Sequence, residues 1–243
     1  RARRAHHLQV AGSWFGTGPP LKAPAAPLTG LFGGSFNPAH GGHRRVTLFA
    51  IKALGLDEVW WLVSPGNVLK PVQGMAPLEA RLASARRQSR NAPIRATAIE
   101  RELGTRFTVD TLRAIKRRYP RRRFIWLMGA DNLAQFHKWK HWRQIAREMP
   151  IAVIARPGYD SAALASPAMA WLRRWRQRPG QFVSGAMRSA PALTILRFDP
   201  DHRSASAIRA NDPDWSRRYG NAAMRDAVTH RRINRGLIKR GKP

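Results

Sequence analysis

Two histidines three positions apart, His40 and His43, sit in a run of small residues, Gly33-Gly34-Ser35-Phe36-Asn37-Pro38-Ala39-His40-Gly41-Gly42-His43. Backbone without side chains can approach a phosphate chain and turn its N–H groups onto the oxygens. Gly33, Gly34, Gly41 and Gly42 offer that backbone. Across a loop-to-helix junction, the spacing of three lets both imidazoles aim at one anionic group beside the positive end of the helix. Such a set can hold a phosphate chain and neutralise the charge that develops on it.

A loop of this kind needs a strand before it and a helix after it. A short apolar run ends at Phe32, and Val46, Phe49, Ala50, Ala53 and Leu54 recur at helical spacing, which predicts a helix over 43–55. Further apolar runs without alternation lie at Val59–Val63, Phe124–Met128, Ile151–Ala155 and Leu193–Leu196, the pattern of strands buried on both faces. Ile94 to Ala98 reads as a weaker strand. Helical patterns fall at 77–90, opening at Pro77, and at 108–118, with Thr108 as N-cap and Val109, Leu112 and Ile115 as the buried stripe. Strand and helix alternating in this way predict an α/β fold: a Rossmann-like, doubly wound parallel sheet that binds ligands at the C-terminal ends of its strands.

Three loops reach that edge. In Ser64-Pro65-Gly66-Asn67-Val68-Leu69-Lys70, Lys70 is either a solvated lysine or a cation for an incoming phosphate. After the Phe124 strand come Gly129-Ala130-Asp131-Asn132 and, further on, Trp139. Asp131 reads as a helix cap or a ligand contact, Trp139 as core or as a flat wall for a planar ring. In Ser204-Ala205-Ser206-Ala207-Ile208-Arg209 the serines mark a second helix start, and Arg209 is a solvated residue or a polyphosphate clamp.

The 243 residues, 43 % of them hydrophobic, suffice for one α/β domain over 28–243 with a sizeable core. No apolar run approaches the roughly 20 residues of a membrane helix. With no cysteine there is no disulfide framework and no thiolate site, which fits a cytoplasmic enzyme. Net charge is 44 − 14 = +30. Arg and Lys are scattered through every predicted helix and form no readable nucleic-acid module, so the charge reads as a surface that attracts polyanionic substrates. Residues 1–27, basic, acid-free and without periodicity, read as a disordered extension, a translated upstream segment or a transit peptide. From Trp215 to Pro243 a basic, weakly amphipathic helical pattern near 222–237 is expected to pack or fray.

The loop and its context resemble the nucleotidyltransferase superfamily marked by a His-x-Gly-His motif, with Asn37 where that superfamily usually has Asp. Trp61 to Lys70, Phe107-Thr108-Val109-Asp110-Thr111-Leu112, Trp126 to Trp139 and Ser204 to Arg209 narrow the resemblance to the bacterial nicotinate-nucleotide adenylyltransferases, over about residues 28 to 210. Ser206 replaces the usual Thr, and Val68 a frequent Pro.

The resemblance implies transfer of AMP from ATP to nicotinate mononucleotide, giving deamido-NAD and pyrophosphate, with Mg²⁺ carried by ATP. It implies an ATP site of Gly33, Gly34, Ser35, Phe36, His40, Gly42, His43, Ser204, Ser206, Ile208 and Arg209, with His40, His43 and Arg209 catalytic. It places the acceptor against Lys70, Phe107, Thr108, Gly129, Ala130, Asp131 and Trp139, with no protein-held metal. Rival readings are the same chemistry on nicotinamide mononucleotide or phosphopantetheine, and a basic nucleic-acid-binding protein on this scaffold. A homo-oligomer is left open.

Overall fold

The computed structural model describes residues 25–66, 74–155, 161–184, 189–199, 203–219 and 224–233. Lys70 and residues 1–24 of the expected extension lie outside them. Seven parallel strands form one sheet: β1 (Leu28–Gly34), β2 (Glu58–Val63), β3 (Ile94–Thr97), β4 (Arg123–Gly129), β5 (Ile151–Ala155), β6 (Arg176–Gln177) and β7 (Leu193–Arg197). Their order is β3-β2-β1-β4-β5-β7-β6. The chain therefore winds outward from β1 to β3, returns to lay β4 on the other side of β1, runs through β5 to the edge strand β6, and doubles back to insert β7 between β5 and β6. Between the ends of β1 and β4 the winding reverses, and a crevice opens there.

Between the strands run α1 (Gly41–Leu54), α2 (Leu78–Gln88), α3 (Ile99–Leu103), α4 (Thr108–Arg118), α5 (Ala130–Gln135), α6 (Trp142–Glu148), α7 (Ser161–Leu164), α8 (Pro167–Leu172), α9 (Pro179–Val183) and α10 (Ala205–Asn211). Every residue of β2 is buried, as its unbroken apolar run predicts. Successive side chains go to opposite faces. Trp60 and Leu62 pack with Val109, Leu112 and Ile115 of α4 in one core, while Val59, Trp61 and Val63 pack with Ala50 and Leu54 of α1 in the other.

Two boundaries differ from expectation. The first helix opens at Gly41, with His40 as its N-cap, and closes at Gly55 in the left-handed region, φ 60°. Thr108 is the first residue of α4, not its cap; Phe107 takes the cap position with extended backbone and no side-chain bond. The helix expected near 222–237 is corrected over its described part: Met224–Arg225 pairs antiparallel with Arg232–Ile233. Asp226 is the physical reason. Its carboxylate accepts from the backbone N–H of Val228 and Thr229, closing a turn where a helix would need those donors. The same carboxylate accepts from Thr97 and Ala98, which ties the hairpin to the end of β3. Among the described residues no helix is long and apolar enough to cross a membrane.

Candidate active site

At the crevice between β1 and β4 lies a cleft of about 900 Å³. Its floor is set by packing. A Cβ on Gly33 would sit 2.7 Å from the ring of Trp126 on β4, so glycine here admits the large neighbour as well as baring the backbone. Phe36 adopts a left-handed φ of 46°, a conformation costing about 1–2 kcal/mol for a residue with a side chain. Burial offsets that cost, for its ring is 2 % exposed and stacks on Trp61 at 5.0 Å. It also meets the His43 ring at 5.0 Å.

His40 and His43 form a reciprocal cap on α1. The N–H of Gly42 donates to His40 Nδ1 at 3.1 Å, and the N–H of His40 donates to His43 Nδ1 at 3.2 Å. A neutral imidazole accepting at Nδ1 carries its proton on Nε2, which makes the second nitrogen a donor. The two rings lie 3.9 Å apart and both line the cleft. Helix α1 carries no acidic residue in its first turn, so its positive end is uncompensated by a carboxylate of its own.

Asn37 explains the departure from the usual Asp. Its Nδ2 donates to the carbonyl of Gly74 and its Oδ1 accepts from the N–H of Ala76. A carboxylate could only accept, so it would lose the first bond. Arg81, 1 % exposed, reaches the same region from α2 and donates to the carbonyls of Ser35, Ser64, Pro65 and Ala76. Burial pushes its guanidinium down to about 10, so it stays charged at neutral pH. Glu100 completes this wall. Burial pushes its carboxyl up to about 7, against the opposing pull of a hydrogen bond with Ser64 and the charge of Arg81.

The far end of the cleft is aromatic and cationic. Trp139 packs edge-on against Trp126 and Phe136, and the Lys140 ammonium lies 4.1 Å from the centroid of Phe107. Two helices open on this end, α4 at Thr108 and α5 at Ala130, and neither has a side-chain cap. Asp131 does not cap α5. Its Oδ1 lies 2.4 Å from where a Cβ on Gly129 would be, and it accepts no hydrogen bond among the described residues.

The cleft thus gathers Gly33, Gly34, Ser35, Phe36, His40, Gly42, His43 and Ser204 at one end, and Phe107, Thr108, Gly129, Ala130, Asp131 and Trp139 at the other. Ser206, Ile208 and Arg209 do not line it. Arg209 donates to the carbonyl of Asn37 at 2.5 Å and to Ser206 Oγ at 3.2 Å, pinning the loop to α10. Sequence reading missed Glu100, Arg106, Lys138, Lys140 and Arg203, which also line the cleft. Arg106, Lys140 and Arg203 each adjoin a residue the motifs do single out, but in a chain with 44 Lys and Arg a basic neighbour carries no signal.

The model of the cytidylyltransferase-like family matches residues 31–211. A protein of Erythrobacter litoralis named probable nicotinate-nucleotide adenylyltransferase is 68 % identical over 205 residues, 84 % of this chain and 94 % of that protein. The chain belongs to the nicotinate-nucleotide adenylyltransferase family. A second member, from Roseobacter denitrificans, is 50 % identical over 191 residues, 78 % of this chain and 94 % of its own. The fold extends to a remote solved structure, the nicotinic acid mononucleotide adenylyltransferase of Plasmodium falciparum complexed with NaAD. That likeness has a TM-score of 0.56 at 16 % identity and covers 76 % of this chain and 83 % of the other.

Proposed function

We propose that this chain transfers AMP from ATP to nicotinate mononucleotide, releasing pyrophosphate and forming deamido-NAD in NAD biosynthesis, with the cytoplasm as its compartment. The observation that carries the reading is that one cleft holds both an imidazole-lined helix start and an aromatic wall beside two uncapped helix N-termini. The acceptor's phosphate oxygen attacks the α-phosphorus of ATP; that P–O bond forms as the bond to the pyrophosphate oxygen breaks. The nucleophile is already ionised near neutral pH, so no general base is needed. Catalysis is alignment and charge neutralisation. The Nε2–H groups of His40 and His43 donate to the triphosphate, most strongly as charge builds in the transition state. Arg209 acts from outside the cleft, pinning the histidine loop to α10 by donating to Asn37 and Ser206, while Ser204 lines the cleft at the start of α10.

At the other end the pyridine ring stacks on Trp139, its carboxylate accepts from the free N–H groups at the start of α4, and Asp131 holds the ribose side of the nucleotide. Lys70 is reserved for the acceptor's phosphate. Among the described residues no cluster of His, Asp and Glu could hold a metal ion. Mg²⁺ enters with ATP as MgATP, held by the nucleotide's own phosphates. The test is pyrophosphate release from ATP with each candidate acceptor in turn. Nicotinate mononucleotide should be turned over fastest and phosphopantetheine not at all; equal rates with nicotinamide mononucleotide would refute the acceptor assignment.

A further inference from the structure

We propose that the surface built by α6, α8 and the turn leading into β6 binds single-stranded nucleic acid, its phosphates on arginines and its bases on tryptophan rings. Along the chain these arginines are dispersed among 44 Lys and Arg; the fold brings them to one place. Trp142 at the start of α6 meets Trp171 of α8 edge-on at 5.3 Å, and Trp171 meets Trp175 at 4.5 Å. All three rings are half-buried. The guanidinium of Arg143 lies 5.0 Å from the centroid of Trp142, and that of Arg147 lies 5.6 Å from Trp171. Arg174 sits 6.0 Å from Trp171 and 5.0 Å from Trp175. None of these six residues lines the cleft between β1 and β4.

Elsewhere on the molecule arginines answer carboxylates: Arg113 and Lys116 share Glu148, and Arg95 and Arg122 share Glu58. Here they answer indole faces, and residues 161–184 contain neither Asp nor Glu. A guanidinium seated over an indole keeps N–H donors for a phosphate oxygen. A single strand complements both features, because its phosphates repeat along a chain and its bases present the π faces that a duplex hides. A membrane surface would call for apolar side chains that protrude. The tryptophans are half-buried, and Leu164 is the one large apolar side chain exposed among the described residues. A second copy of this chain meeting the surface across a two-fold axis would set the same arginines against one another.

Fluorescence anisotropy with a labelled oligothymidylate of about 20 nucleotides, longer than the site of one binding module, tests this. Its duplex with the complementary strand and an abasic strand of equal length serve as the other probes. The Arg143→Ala/Arg147→Ala/Arg174→Ala variant strips the patch at three exposed positions. Arg87→Ala/Arg90→Ala/Arg121→Ala removes the same charge at exposed positions on α2, the turn after it and the turn before β4. Wild type should bind the single strand at least about threefold tighter than the duplex and about tenfold tighter than the abasic strand. Stripping the patch should weaken the single strand about tenfold or more and flatten log Kd against log salt by about 2, three phosphate contacts at about 0.7 each. The control variant should lose less than about threefold. Trp175→Ala should weaken the single strand about fivefold and the abasic strand less than about twofold, with Trp175→Phe recovering most of the loss. Urea midpoints show that each variant is folded, and the arginine variants decide the matter should Trp175→Ala not fold. Equal losses in the patch and control variants, equal affinity for the intact and abasic strands, or patch-dependent sedimentation with phosphatidylserine vesicles in place of single-strand binding would each overturn the proposal. No residue tested lines the cleft, so the outcome is independent of the adenylyl-transfer reading.

Discussion

His40 serves the helix and the cleft with different nitrogens. Nδ1 caps α1 by accepting from Gly42, and the proposed mechanism uses Nε2 for the ligand. The two roles can be separated, because asparagine caps a helix well but brings no imidazole. His40→Asn should keep the urea midpoint near wild type while kcat falls by about 10²-fold or more; His40→Ala should lose the same activity and about 1 kcal/mol of stability besides. Near wild-type turnover by His40→Asn would remove the imidazole from the chemistry. His43→Ala should show a kcat loss of the same order, since the proposed mechanism gives it the second donor to the triphosphate. Glu100 makes a second separable case, through pH. Its carboxyl is raised from 4.5 to about 7 by burial, so the folded state keeps a proton that the unfolded chain releases at lower pH. The resulting stability is complete below the unfolded value and is lost as pH rises through that window. Glu100→Gln stays neutral throughout. Its melting temperature should exceed that of wild type by a margin that widens between about pH 5 and about pH 7 and then levels off; a margin independent of pH would show that the carboxyl is not desolvated.

At the scale of elements, Arg81 ties the glycine-rich loop after β1 to its neighbours. Four carbonyls from the loop after β1, the loop after β2 and the approach to α2 converge on one buried guanidinium. Removing it strands several buried acceptors, so Arg81→Met should cost at least about 3 kcal/mol in urea unfolding. Arg81→Lys, keeping charge without the fork, should recover only part. A loss below 1 kcal/mol in the methionine variant would mean the loops hold themselves. None of this is visible in the chain, where Arg81 is one basic residue among 44. What could be read was whatever has a period or a motif. The strands buried on both faces announce themselves as unbroken apolar runs, and α4 by Val109, Leu112 and Ile115. The histidine loop was legible because its residue types are rare together. The short helices α7 to α9 were not read, since four to six residues show no period. Ser166-Pro167 was the available signal for one of them: Ser166 caps α8 by accepting from Met169, with Pro167 at the first helical position. The C-terminal hairpin was misread because a basic, weakly apolar segment fits either period, and only the turn closed by Asp226 decides.

Over the whole molecule, a net charge of +30 makes a field that draws in anions of any kind. Such a field cannot be what separates nicotinate from nicotinamide mononucleotide, because it acts at long range on total charge and is screened beyond about 8–10 Å in ordinary salt. Selection has to happen at contact. The rings are nearly the same size, so Trp139 cannot tell them apart. In the proposed acceptor pose the N–H donors at the uncapped starts of α4 and α5, where Thr108 and Ala130 line the cleft, are available to the ring substituent. A carboxylate accepts from such donors, whereas an amide can turn its NH₂ against them and leave buried groups unpaired at about 1–3 kcal/mol each. Two mismatches give a preference of at least about 10²-fold in kcat/KM for the nicotinate form. Salt distinguishes the two origins. Raising ionic strength from about 0.1 M to about 1 M shortens the screening length from about 10 Å to about 3 Å and should lower kcat/KM for both mononucleotides. Their ratio should nevertheless stay above about 10², since hydrogen bonds at van der Waals distance lie inside even the shorter screening length. A ratio that collapses toward one in high salt would assign the selectivity to the field of the scattered arginines and lysines, and would leave the starts of α4 and α5 without a part in choosing the acceptor.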